Sequence, residues 1–195
     1  MKELIGIIAV ILTIIGHGFY ILDILKNKTK PHVFSWIIWA VMTIIAFLGQ
    51  WQKGGGAGSW TTAATGLMTI LIAILAFKKG SKDITRSDKF FFGGALLAII
   101  PWILTKDPTL SVIIITLIDV SAAVPTLRKT IKSPRSETFM TYFLNIFRHG
   151  LSILALERLN LATFLFPTAL FFVNLTIALV ILKHKLTTRK LGRLS

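Results

Sequence analysis

Residues 110–128 read LSVIIITLIDVSAAVPTLR, and the way this stretch is housed decides the fold. It is apolar and close to the roughly 20 residues that a bilayer-spanning helix needs. Asp119 stands near its centre, and Pro125 lies one to two turns further on. An aspartate at mid-membrane costs about 2.5–3.5 kcal/mol on insertion scales, so it calls for a partner or a water-filled cavity. A proline there frees a backbone carbonyl that neighbouring groups must satisfy. The remaining sequence reads as the surroundings that make such a helix tolerable.

The 195-residue chain is 54% apolar and 15% charged, the composition of a polytopic membrane protein. It has no cysteine, which removes disulfides and thiolate metal sites. His17, His32, His149 and His184 are scattered without ligand spacing, so neither a metal nor another cofactor is expected. The net charge of +14 sits in short clusters beside apolar segments. That placement points to anionic lipid headgroups rather than nucleic acid. The first apolar run, Leu4–Leu25, is too long for a signal-peptide core.

Seven apolar segments can be marked: Leu4–Leu25, Phe34–Trp51, Trp60–Phe77, Phe90–Leu104, Leu110–Leu127, Thr138–Leu156 and Leu161–Leu182. The fourth is the weakest, with Gly93, Gly94 and Pro101 inside it. Basic residues cluster at Lys26/Lys28/Lys30, Lys78/Lys79/Lys82/Arg86/Lys89, Arg128/Lys129/Lys132/Arg135 and Lys183/Lys185/Arg189/Lys190/Arg193. The opposite ends carry only Lys2, Lys53, Lys106 and Arg158. With seven spans every rich cluster falls on one side, which puts the amino terminus outside and the carboxyl terminus in the cytoplasm. Trp51, Trp60 and Trp102 then form an outer aromatic belt.

The chain also looks duplicated. YILDILKNKTKPHVFSWIIW from Tyr20 and AAVPTLRKTIKSPRSETFMTYF from Ala122 align at a shift of 103, with Lys26 on Lys129, Pro31 on Pro134, Ser35 on Thr138 and Trp39 on Tyr142. Three spans, one linker span and three spans make two repeats that enter the membrane in the same direction. The expected fold class is therefore an all-α integral membrane protein of seven transmembrane helices. Residues 1–80 form the first three-helix repeat, 81–107 a linker with the fourth helix, and 108–195 the second repeat with a basic cytoplasmic tail.

In this architecture the chain resembles the SWEET and PQ-loop superfamily of membrane transporters. That family carries a proline in the first helix of each triplet, which Pro125-Thr126 matches in the second triplet, while the first has Leu22-Asp23. It also carries a binding asparagine in each third helix. Asn174 matches in the seventh segment, where the third offers Thr65 and Thr69. The resemblance implies a facilitator or proton-linked carrier of a small polar solute such as a sugar or amino acid. Transport would proceed by rocking one triplet against the other, with Pro125 as a hinge. A non-transporting receptor or assembly factor on the same scaffold is the alternative.

Helical spacing sorts the polar residues onto faces. Thr138, Thr141, Asn145, Arg148 and Ser152 share one; Thr116, Asp119, Ala123 and Thr126 another; Thr62, Thr65, Thr69, Ala73 and Ala76 a third. Gly6, Ala9, Thr13, Gly16/His17 and Tyr20 share a face, as do Trp36, Trp39, Thr43, Ala46 and Gln50. Arg148 lies about ten residues into its segment, roughly 15 Å deep at 1.5 Å per residue. Asp119, Arg148, His17 and Asn174 fall near that same depth. The expected substrate-binding set is Asp119 and Arg148 as a partly solvated pair, Asn145, Asn174, His17 and Thr69 as polar groups, and Trp39 and Tyr142 as stacking or gating rings.

Structural readings stand beside the functional ones. Asp119–Arg148 can be a helix-pinning pair, and His17, between two glycines, can bond a carbonyl across a tight helix contact. His149, on a different face from Arg148, reads as structural, and Trp36 as an interface anchor. The Thr62–Ala76 stripe reads as close helix packing. The loop Lys53–Gly58 reads as a flexible outer turn. No catalytic constellation is visible, so no enzymatic activity is expected. Two joined triplets make a complete pathway, so a monomer suffices, and a prokaryotic plasma membrane suits the absence of cysteine and the basic loops.

Overall fold

Long runs of isoleucine, leucine and alanine without internal turn signals can satisfy every backbone group only as helix once water is absent. The computed structural model describes residues 1–27, 31, 33–80, 86–132, 134 and 139–191. Lys28, Thr29, Lys30, Lys82, Ser133, Arg135, Thr138 and Arg193 lie outside the described residues. Among those described, the regular structure is entirely helical: α1 (Lys2–Leu25), α2 (Val33–Gln52), a 3-10 turn (Gly56–Ser59), α3 (Trp60–Lys79), α4 (Arg86–Leu97), α5 (Ile99–Thr105), α6 (Thr109–Lys132), α7 (Phe139–Leu154) and α8 (Leu161–Leu191). Four stretches are long and apolar enough to cross a membrane: Lys2–Leu25, Ser35–Gln52, Gly56–Lys79 and Leu161–His184. Phe92–Thr105 and Thr109–Ser121 are shorter apolar stretches.

Solvent could not tolerate this surface. Ile7, Ile8, Ile11, Ile14, Ile15 and Phe19 of α1 are all exposed, as are Leu67, Leu71, Ile74 and Phe77 of α3. Contiguous apolar patches of this extent mark contact with a membrane or partner. Lipid makes them the favoured outer face.

Two boundaries depart from the sequence reading. The fourth segment is not one helix but α4 and α5, broken at Ala98. Pro101 has no N–H to offer Leu97, and its ring crowds that carbonyl. Gly93 and Gly94 weaken the preceding turns. At the carboxyl end the basic stretch from Lys183 continues α8 as far as Leu191.

The helices pack in a pattern that repeats. α3 packs on both α1 and α2, and α8 packs on both α6 and α7; α1 with α2, and α6 with α7, have at most marginal contact among the described residues. Across the bundle α1 meets α7 and α2 meets α6, while α2 meets α8 and α3 meets α7. This set of helix pairs is unchanged when α1 is exchanged with α6, α2 with α7 and α3 with α8. α4 lies outside the exchange and packs on α2 and α6. A core of Ile38, Met42, Ile45, Ala95, Val112, Ile115 and Phe166 fills the space among α2, α4, α6 and α8.

One end of the bundle is tied together by polar contacts, and the loop Lys53–Gly58 is at its centre. The Glu157 and Arg158 amides donate to the carbonyls of Gly55 and Gly54. Ser152 Oγ donates to Gly58 O at 2.7 Å, Asn160 Nδ2 to Lys53 O at 3.0 Å, and Lys2 Nζ to Leu156 O at 2.6 Å. Lys53 pairs with Asp107. These contacts bring the starts of α1, α3, α6 and α8 and the ends of α2 and α7 to one end. The loop is thus a docked junction and not a flexible turn. Gly56 holds a φ of +53°. A Cβ on Gly58 would lie 2.7 Å from both Leu156 N and Ser152 O, so only glycine lets the two backbones meet. At the start of α8, Asn160 Oδ1 accepts from the Thr163 amide and Thr163 Oγ1 from the Asn160 amide, a reciprocal cap that holds this corner in shape.

Candidate functional site

Below that junction the six main helices enclose a cavity of about 340 Å³. α1 contributes His17; α2 Trp36, Trp39 and Thr43; α3 Thr61, Thr62, Thr65 and Thr69; α6 Asp119 and Ala123; α7 Tyr142, Asn145, Arg148 and His149; α8 Phe166, Leu170, Val173, Asn174 and Ile177. All eight residues expected from the sequence to bind solute, Asp119, Arg148, Asn145, Asn174, His17, Trp39, Tyr142 and Thr69, line this one space. α6 runs without a break through Pro125.

Local helical chemistry explains most of the polar wall. Thr43 Oγ1 donates to Trp39 O, Thr65 Oγ1 to Thr61 O and Thr69 Oγ1 to Gly66 O. A threonine hydroxyl that bonds one turn back on its own helix is cheap to carry through a membrane. His17 does the same. Its Nδ1 lies 2.9 Å from Thr13 O, a carbonyl that can only accept, so that nitrogen carries the hydrogen. The glycines beside His17 meet nothing within 4 Å, so no tight helix contact exists there. Asn145 Nδ2 donates to Asn174 Oδ1 at 3.0 Å, joining α7 to α8, and Asn174 Nδ2 donates to Leu170 O at 2.7 Å.

The charged pair is arranged differently from the sequence expectation. Asp119 and Arg148 face the same cavity, yet they form no ion pair. Arg148 Nη1 instead donates to Thr65 Oγ1 of α3 at 2.8 Å, a contact between the two halves of the chain. The physical reason is reach: α6 and α7 do not pack on each other, whereas α7 packs directly on α3. Three polar atoms of cavity-lining residues are buried and have no partner: Thr61 Oγ1, Arg148 Nε and His149 Nε2. Their residues are 1%, 8% and 6% exposed, so bulk water does not serve them. Leaving a buried donor unpaired costs about 1–3 kcal/mol, more when it is charged.

Sequence reasoning missed several wall residues. His149 lies four residues after Asn145 and shares that face, a spacing that would have found it. Trp36, read as an interface anchor, also lines the cavity, with its ring at 5.0 Å from Tyr20 and 5.1 Å from Trp39. The Thr62–Ala76 stripe divides by depth: Thr62, Thr65 and Thr69 line the cavity, and Ala73 and Ala76 are packed. The α7 stripe divides too, with Ser152 serving the junction and Thr141 exposed. No group of three or more metal-ligating side chains occurs among the described residues. No protein-family model, curated protein or solved structure matches the chain.

Proposed function

We propose that the protein carries a small polar solute across a membrane by alternating access between two parallel three-helix bundles, α1–α3 and α6–α8, joined by the α4–α5 linker. One observation carries this reading: one cavity with polar groups on its wall is lined by helices of both triplets, and the set of packed helix pairs is unchanged when the two triplets are exchanged. Solute sites of secondary transporters lie at such repeat interfaces, near the midplane. The resemblance to the SWEET and PQ-loop superfamily supports the same conclusion. So does the clustering of basic residues, which orients the tied end outward and the carboxyl terminus toward the cytoplasm of a prokaryotic-type cell. Pro125 serves as the loosened point of α6 during rocking. The chain acts as a monomer, or as an oligomer of complete pathways.

The test is flux together with access. In proteoliposomes the carrier takes up solute, and cysteines introduced at positions 145 and 174 of this cysteine-free chain react with impermeant reagents from both faces. Labelling from only one face under every condition overturns the carrier. The extent of the polar junction favours a second reading, a receptor or assembly factor that opens on one side only, and one-sided labelling is the outcome it requires.

A further inference from the structure

The cavity presents two opposite charges that do not touch, and the space between them is the clue to its occupant. The Arg148 guanidinium is anchored through Nη1 to Thr65. Its Nε has no partner, and no hydrogen bond engages Nη2 among the described residues. Nε–H and the neighbouring Nη2–H form the edge along which a guanidinium takes a carboxylate with two parallel bonds. Thr61 Oγ1 and His149 Nε2 are also unpartnered on this wall, two further groups able to bond an oxyanion. Asp119, on α6, accepts no hydrogen bond among the described residues. It is an acceptor without a donor.

The two charges attract each other across the cavity without touching, and a solute carrying only one charge would give a direct partner to only one of them. A sugar would compensate neither. A zwitterion with carboxylate and ammonium a few bonds apart answers both. The volume agrees: about 340 Å³ is the space of about eleven waters at about 30 Å³ each, and so of a solute of comparable heavy-atom count.

The wall names the rest of the solute. Ala123, Val173 and Ile177 of the cavity also line a second space of about 330 Å³ between α6 and α8, completed by Val120, Leu127 and Phe172. This groove is apolar and reaches the lipid-facing surface, where Phe172 is exposed. Only the side chains of Ala123, Val173 and Ile177 stand between this groove and the zwitterionic end. We propose that the solute is an α-amino acid with a large apolar side chain, its carboxylate on Arg148, Thr61 and His149, its ammonium on Asp119, and its side chain in the groove between α6 and α8. The assignment rests on the carrier reading for its biological meaning, but binding alone tests it.

The experiment is calorimetric titration of the full chain in detergent with leucine, set against leucinamide, 3-methylbutylamine, 4-methylpentanoate, glycine and glucose. Leucine binds best. Leucinamide, the amine and the acid, each lacking one charge or both partners' full complement, bind at least about tenfold more weakly. Glycine is weaker again, by about fourfold for each methylene missing, and glucose gives no heat. Thr61→Val, which keeps the shape and removes a hydroxyl that has no partner, weakens leucine and spares leucinamide; Arg148→Lys, which keeps the charge without the fork, does the same. Ala169→Phe, in the groove, lowers the ratio of leucine to glycine affinity. Leucinamide, 4-methylpentanoate or glucose binding as well as leucine overturns the assignment, and so does a folded protein that gives no heat with leucine. Leucine that binds without crossing proteoliposomes leaves the assignment standing and removes the carrier. Sugar flux without leucine binding does the reverse.

Discussion

The glycine-loop junction and the cavity beneath it are both polar islands in an apolar bundle, and they differ in one respect. At the junction many polar groups meet partners across the chain, Ser152 on Gly58, Asn160 and Asp107 on Lys53, Lys2 on Leu156, although the Gln50 amide and the Ser111 hydroxyl at that end are buried without one. In the cavity Thr61, Arg148 Nε and His149 Nε2 are buried without one. A satisfied polar group holds structure; an unsatisfied buried one costs stability until something binds it. The first region closes the molecule, and the second is poised for a ligand.

The largest test of that contrast is Gly58→Ala. Its Cβ would lie 2.6 Å from Leu156 Cδ2 and 2.7 Å from two backbone atoms, Leu156 N and Ser152 O, which cannot swing aside as a side chain can. It should cost about 3 kcal/mol, read as a lowered midpoint of thermal unfolding in detergent. Gly93→Ala, where a Cβ meets nothing within 4 Å, should change stability by no more than about 1 kcal/mol, toward greater stability. Equal effects at the two glycines would mean the junction is not tightly packed.

The cavity should respond in the opposite direction. Replacing Arg148 by Met together with Asp119 by Leu removes both cavity charges, and the ligand-free protein should gain about 2 kcal/mol as it loses solute binding. A loss of stability of that size would make the two residues structural instead. Smaller is Asn145→Ala, which deletes the bond to Asn174 between α7 and α8. Intramembrane bonds of this kind are worth about 0.6–1.7 kcal/mol, so its melting shift should be modest.

The smallest effect lies at the rim of the junction. The hydrogen bond from Lys53, followed by those from Thr109, pulls the Asp107 carboxyl from 3.8 down to about 2. Because the folded value is the lower one, the contribution of Asp107 is present above 3.8 and is lost as pH falls through about 2. The melting temperatures of the native protein and of Asp107→Asn should therefore differ at neutral pH and converge across that acid window. Curves that stay parallel would show that the ion pair adds nothing.

Much of the site was legible because helical period is a local property. The spacing of Asn145 and Arg148, or of Trp36, Trp39 and Thr43, assigns residues to a face before any partner is known. Segment hydropathy likewise located the long helices, since roughly 20 apolar residues span a bilayer wherever they occur. What spacing does not carry is which face meets which. Asp119 and Arg148 were natural partners by charge and depth, yet α7 packs on α3 and gives the guanidinium to Thr65. Six residues rich in glycine read as a loose turn, and became the docked centre of the junction only because the α7–α8 corner, about a hundred residues away in sequence, approaches closely enough to need them. The sequence by itself determined an apolar helical chain and the polar stripe on each helix. The tertiary structure alone decided which stripes converge, which polar atoms are satisfied and which are left waiting, because those depend on distances between segments that no local pattern sets.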